Sequence, residues 1–341
     1  MATSPTQRAY RLTDSTLRDG SHALAHQYTA PEVAAIAGAL DEAGVPVIEV
    51  SHGDGLGGSS FNYGFSRQNE RELISAAAAV VRQAKLAVLL LPGIGVADDL
   101  NEVRALGVSV ARIATHCTEA DIAIQHIRMA KDLGMEAVGF LMLAHMAEPA
   151  KLLEQARIME GAGAGTVYVV DSAGAMTTAD VRARVAELKA GLRPETQVGI
   201  HAHNNLSLAV GNSIGALEEG VDQVDGCSRG LGAGAGNCPT EVLVAVSHKL
   251  GYDTGVDLMK VMDVAEDVVR PLIPREQVIN RSALTMGYAG VYGSFLLHAE
   301  RAAAKFGVDT REILLELGRR KVVGGQEDMI VDVAVELARR Q

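Results

Sequence analysis

Two patterns of apolar residues alternate along the chain. Short runs rich in Val, Ile, Leu and Ala end in polar or glycine residues, and each gives way to a stretch with Ala, Leu, Glu and Arg at helical spacing. Eight runs have strand length: Tyr10–Ser15, Pro46–Ser51, Leu86–Leu91, Ser109–Thr115, Ala137–Leu143, Thr166–Asp171, Gln197–Ala202 and Asp222–Asp225. Helical patterns between them include Pro31–Ala43, Asn69–Arg82, Glu119–Leu133, Ala150–Gly161 and Thr178–Gly191. Pro31 follows Thr29-Ala30, a proline near a capping hydroxyl that suits a helix entry. Strands alternating with helices predict an α/β fold with a parallel sheet, and eight units suit a closed (β/α)8 TIM barrel. An open doubly wound sheet would alternate in the same way. The barrel is favoured because the count reaches eight just where the pattern changes.

That change falls near Gly251. From Val256 the chain reads as helices without strands: Leu258–Val269, Gly293–Phe306, Arg311–Leu317 and Asp328–Arg340, with Pro271 and Pro274 punctuating the first junction. The expected organisation is a catalytic barrel over residues 1–255 and a helical C-terminal domain over 256–341.

Composition narrows the functional classes. Hydrophobic residues make up 48% of the 341, enough for a sizeable core. The formal net charge is -11 with no Lys/Arg block, which argues against nucleic acid or an anionic membrane as partner. Cys117, Cys227 and Cys238 form no CxxC pair, so neither a disulfide framework nor a zinc knuckle is indicated. A reduced, cytoplasmic setting is expected. The stretch Met1–Ala9 lacks the apolar core of a signal peptide, and runs such as Leu86–Leu91 are too short to span a bilayer.

In a barrel of this kind chemistry gathers at the C-terminal ends of the strands. Those ends carry Arg18, Asp19 and His22 on strand one, Glu49, His52 and Asp54 on strand two, His116, His145 and Asp171-Ser172 on strands four to six, and His201-Ala-His203 on strand seven. Two residues apart on a strand, His201 and His203 project to the same face. With Asp19, brought near by closure of the barrel, they make a facial set of two imidazoles and a carboxylate for a divalent metal, Mn²⁺ or Mg²⁺ rather than structural zinc. His22 and His26 stand four apart without the HExxH glutamate, so one of them serves better as a general base, His26 being the more structural. The GxGxxG match at Gly53–Gly58 does not open a helix as a dinucleotide fingerprint should. The glycine run Gly230–Gly236 suits a phosphate, a close approach to a carboxylate, or a tight turn. Every lysine falls at the wrong end of a strand (Lys85), in a helical pattern or in the tail, so no Schiff-base candidate exists. Stabilising a carbanion beside a 2-oxo acid then falls to metal and arginine, and Arg18 stands beside Asp19.

The segments DSTLRDGSHALAHQY (Asp14–Tyr28), HGDGLGGSSFNYG, ATHCTEAD, HAHNNLSL, GAGAGN, GYAGVYGSFLLHAE and GGQEDMIVDVA together resemble the 4-hydroxy-2-oxovalerate aldolases, over nearly the whole chain. That family sits within the TLRDG-type barrels, alongside hydroxymethylglutaryl-CoA lyase and the isopropylmalate and homocitrate synthases. The resemblance implies class II cleavage of 4-hydroxy-2-oxo acids to pyruvate and a short aldehyde such as acetaldehyde or propanal. It implies Asp19, His201 and His203 as ligands of a divalent metal, Mn²⁺ first, with Mg²⁺ or Co²⁺ as alternatives. It further implies Arg18 as enolate stabiliser, His22 as base, Ser172 as a substrate-binding residue, and Tyr292 at the aldehyde end of the site. A complex with an acylating acetaldehyde dehydrogenase, channelling of the aldehyde, and a place late in aromatic ring degradation are implied too. An acyl-CoA condensing enzyme and a non-catalytic barrel are the rival readings; the chain has no evident basic loop cluster for CoA phosphates.

Overall fold

A computed structural model describes residues 8–340. Its eight barrel strands are β1 (Arg11–Leu17), β2 (Val47–Val50), β3 (Lys85–Leu90), β4 (Val110–His116), β5 (Glu136–Met142), β6 (Thr166–Asp171), β7 (Gln197–Ala202) and β8 (Gln223–Gly226). Each pairs in parallel with the next, and β8 pairs with β1, Arg11 opposite Gln223, closing the barrel. All eight expected runs are strands, shifted by at most a few residues. Their unbroken apolar character follows from burial on both faces: one against the surrounding helices, the other inside the barrel. The inner face is lined by Val47, Ala87, Leu89, Val110, Ala114, Val138, Phe140, Tyr168 and Val170. Gly199 leaves room there, since a Cβ on it would lie 2.4 Å from the Tyr168 ring.

The helices Ala30–Glu42, Glu70–Val80, Pro149–Ala162 and Thr178–Gly191 lie where expected. At the first, Glu32 accepts the Thr29 N–H at 2.7 Å, tying off the entry beside Pro31. The stretch 119–133 is split, a short 3₁₀ turn at Ala120–Ala123 leading into the α-helix Ile124–Asp132. Ala209–Glu218 is also helical despite Gly211 and Gly215. Packing overrides the weak propensity: a Cβ at Gly215 would lie 2.6 Å from the Thr178 methyl.

The C-terminal helical stretch divides in two. Val256, Val261, Val264 and Val269 share the barrel's outer core, whereas a separate apolar cluster begins at Met286 and ends at Ala334. This second cluster is built by the helices Arg281–Ala289, Phe295–Phe306, Thr310–Arg319 and Asp328–Ala338. Among the described residues no helix is long and apolar enough to cross a membrane.

Candidate active site

The first strand ends in a break that the site depends on. Neighbouring residues on a strand point to opposite faces, so Arg18 and Asp19 could not both face inward if β1 simply continued. Instead the Arg18 N–H turns back to the Ser15 carbonyl at 3.1 Å, the register slips between Asp14 and Leu17, and a 3₁₀ turn runs from Asp19 to Leu24. Both side chains enter the same recess, with His22 one turn on.

Across the barrel, His201 Nε2 and His203 Nε2 lie 3.3 Å apart, and Asp19 Oδ2 stands 3.4 Å from the first and 3.6 Å from the second. His201 donates its Nδ1–H to Asp225 Oδ2 at 2.8 Å, so in the neutral ring its Nε2 carries the lone pair. Two imidazole nitrogens and a carboxylate this close repel unless a proton or a cation sits among them. The donor set and its full burial fit a divalent metal ion held by Asp19, His201 and His203. Asn237 adds to the rim: its Nδ2 donates to Asp19 Oδ1 at 2.9 Å and to the Leu231 carbonyl at 2.8 Å, leaving its buried Oδ1 unpartnered.

Arg18 is fixed on two sides. Its Nε donates to Glu49 Oε2 at 2.8 Å and its Nη1 to Asp19 Oδ2 at 2.6 Å, while Nη2 is buried with no partner. A buried donor left free in a recess is a site for an incoming oxygen. Burial pushes the Asp19 carboxyl up, but Arg18 and the two histidines outweigh it and hold Asp19 well below the usual carboxylate range.

His22 Nδ1 bonds the Asp19 carbonyl at 3.0 Å, which only an N–H can do, so Nε2 is the free nitrogen of the neutral ring. Asp54 Oδ2 lies 3.3 Å from that nitrogen. Burial pulls the imidazolium down; Asp54 first and Asp19 second more than offset this, and the pKa rises to about 9. His26 behaves in the opposite way. It bonds Ser21 Oγ at 2.9 Å and stacks on His52 with ring centroids 3.8 Å apart, and burial, with His22 and His52 nearby, drops it to about 3. His26 is on no α-helix, and its backbone is left-handed at φ 61. A Cβ at Gly53 would fall 2.4 Å from the His22 ring, so the glycines after β2 let these imidazoles pack.

Ser172 accepts the Leu143 N–H at 3.0 Å and lines the recess. Tyr292 reaches it from the loop between helices Arg281–Ala289 and Phe295–Phe306, where Gly290 accepts a bond from His145 Nε2 at 3.0 Å. Burial, then Asp54 and Asp19, raise the Tyr292 phenol, which stays protonated. All seven residues singled out from the sequence, Arg18, Asp19, His22, Ser172, His201, His203 and Tyr292, border one recess, with Leu89, Leu91, Phe140 and Met142 as apolar walls. His116 lies on the same rim outside it, bonded to Thr118. Sequence reasoning gave no role to Glu49, Asp54, Asp225 or Asn237. The available signals were Asp225 on an inward position of β8 and an asparagine closing the glycine run. Those glycines serve close approach: a Cβ on Gly232 would lie 2.2 Å from Asn237 Nδ2 and 3.0 Å from Asp19 Oδ1.

A closed parallel barrel with a carboxylate and two imidazoles converging at its C-terminal rim fits a metal-dependent enzyme of the HMGL-like class, and the HMGL-like family model matches residues 9–268. A DmpG-like communication domain matches residues 277–339. The chain is 61% identical over 329 residues to the 4-hydroxy-2-oxovalerate aldolase of Carboxydothermus hydrogenoformans, covering 96% of this chain and 97% of that one. It is 62% identical to that of Geobacillus stearothermophilus, covering 97% and 96%. The chain belongs to the 4-hydroxy-2-oxovalerate aldolase family, whose members are carbon–carbon lyases. Among solved structures, the carboxyl transferase domain of Rhizobium etli pyruvate carboxylase with pyruvate and biocytin shares the fold, with TM-score 0.83 at 17% identity over 98% of this chain and 61% of that one.

Proposed function

We propose that this protein cleaves 4-hydroxy-2-oxovalerate and similar 4-hydroxy-2-oxo acids to pyruvate and a short aldehyde, using Mn²⁺ held by Asp19, His201 and His203. The observation that carries the reading is the convergence, in one recess, of the Asp19, His201 and His203 donors with an unpartnered Arg18 Nη2 and a His22 Nε2 paired to Asp54. When bound, the cation supplies a Lewis acid that orients and polarises the 2-oxo acid. His22 Nε2 takes the proton from the C4 hydroxyl, and Asp54 stabilises the resulting imidazolium. As the C3–C4 bond breaks, its electron pair forms the C2–C3 double bond of an enolate whose negative charge on the C2 oxygen meets Arg18 Nη2, and a proton taken up from solvent at C3 completes pyruvate. The C4 oxygen becomes the aldehyde carbonyl, with the Tyr292 phenol as donor beside it. Ser172 binds the acid, and Leu89, Leu91 and Met142 exclude water.

The division of labour follows the two apolar clusters: a catalytic barrel with its packed helix through Val269, and a helical unit from Met286 that lends Tyr292 to the site. That helical unit docks an acylating acetaldehyde dehydrogenase. The communication-domain match supports this, as do Leu284 and Tyr288, exposed one helical turn apart on the helix Arg281–Ala289. Incubating metal-free protein with racemic 4-hydroxy-2-oxovalerate, with and without Mn²⁺, tests the reaction. Pyruvate release that depends on the metal is expected, and no release overturns the assignment.

A further inference from the structure

Beneath the recess lies a cation that neither the reaction nor the family match assigns a role. Arg112 occupies the inward register of β4 between Val110 and Ala114 and is fully buried, its guanidinium 4.5 Å from the Phe140 ring centre and 4.7 Å from that of Tyr168. Its Nη1 lies 2.9 Å from Glu49 Oε2, the oxygen that holds Arg18 Nε, as an ion pair without the alignment of a hydrogen bond. Its Nη2 bonds Asp225 Oδ2, the oxygen that holds His201 Nδ1. The contacts close into a circuit: Asp19 to Arg18, Arg18 to Glu49, Glu49 to Arg112, Arg112 to Asp225, Asp225 to His201, and His201 back to Asp19. Three carboxylates face two guanidiniums, so the circuit retains one negative charge for the cation.

We propose that Arg112 is a positioning residue that registers the two halves of the active site against each other. Through Glu49 it holds Arg18 with Nη2 free for the enolate oxygen. Through Asp225 it holds the His201 ring with Nε2 turned to the metal. A lysine cannot do this: its single ammonium lacks the planar fork that spans two carboxylates on β2 and β8, the strands flanking β1. The Phe140 and Tyr168 rings, their centroids 5.4 Å apart, pack side by side against the guanidinium, and shifts of about 1 Å at a reacting group cost about 10²-fold in rate.

The inference rests on Asp19, His201 and His203 being the metal ligands. The test is therefore run on metal-free and Mn²⁺-loaded full-length protein, with His203→Ala as the control for that assignment. Mn²⁺ affinity is read by calorimetry, turnover by pyruvate release, and fold by melting temperature. Arg112→Lys is expected to lower kcat about 10²-fold and Mn²⁺ affinity about tenfold. Glu49→Gln is expected to lower kcat with Mn²⁺ affinity within about threefold of the parent, and Asp225→Asn to weaken Mn²⁺ binding by about 10–100-fold. That split, one arm read in turnover and the other in metal affinity, is not what a merely structural role produces. Arg112→Lys with both quantities within about twofold of the parent overturns the proposal. If that variant does not fold, parallel losses of turnover and metal affinity in Glu49→Gln and Asp225→Asn overturn it. Should His203→Ala bind Mn²⁺ as tightly as the parent, it is the ligand assignment that fails.

Discussion

Asp54→Asn removes one charge from the proposed base without changing its shape. Asp54 Oδ2 stands 3.3 Å from His22 Nε2, and burial of the imidazolium is outweighed by Asp54 and then Asp19, which brings His22 to about 9. Coulomb's law at that distance gives roughly 2.5–5 kcal/mol for effective dielectric constants of about 40 to 20. At about 1.36 kcal/mol per pKa unit this is roughly 2–4 units, and typical pairs at such range fall at about 1–3. A fall of about 2 units is expected for His22 in the variant. The base must be unprotonated to take the C4 proton, so the acid limb of kcat/KM should move to lower pH by that amount. The bound cation lowers parent and variant alike, and the difference between the two profiles is the readout. The assay is kcat/KM for racemic 4-hydroxy-2-oxovalerate from about pH 5 to about pH 10 at fixed Mn²⁺. A limb that stays in place, or moves to higher pH, refutes the pairing of His22 with Asp54.

Arg18→Ala should lose about 10²–10³-fold in kcat while the Mn²⁺-loaded protein stays folded, because Arg112 still faces Glu49 and the metal still faces Asp19; near-normal turnover removes Arg18 from the mechanism. His22→Ala should lose cleavage far more than exchange of the pyruvate methyl protons, followed by deuterium uptake; equal loss of both points to a structural role. Asp41 accepts the N–H groups of Arg82, Gln83 and Ala84 at 2.9, 2.9 and 2.6 Å, just before β3. Burial opposes the Asp41 anion, but these donors prevail and hold its carboxyl below the ordinary value of 3.8. Its contribution is therefore present above that value and lost as pH falls through the lower folded one. Asp41→Ala should destabilise by about 2–3 kcal/mol near neutrality in urea unfolding, the gap closing in acid; a gap that persists or widens in acid counts against the clamp.

How much of this was legible beforehand depended on sequence distance. The strands could be read because burial on both faces leaves an unbroken apolar run, and the His201–His203 pair because period-two spacing sets it on one face. Glu49 stood among the polar strand ends without a role, and Arg112 and Asp225 drew no notice inside their strands. Their meaning lies in pairings 113 residues apart for Arg112 with Asp225 and 31 for Arg18 with Glu49, which no local pattern records. The helix Ala209–Glu218 was hidden by its two glycines, of which Gly215 gives room for Thr178. Tyr292 was found only through resemblance, since a residue in a helical tail carries no periodic sign that it reaches a barrel mouth.

Closure of the barrel has a temporal consequence. Asp19 sits after the first strand and the two histidines at the end of the seventh, and β8 is the seam that brings the two ends together. A ribosome that has delivered everything through His203 has made all three proposed ligands, yet nothing holds them within reach of one ion. Metal capture thus becomes a report of completed closure. A nascent chain released before Gly226 should leave Mn²⁺ in solution, and the full chain should take it up as the seam zips shut.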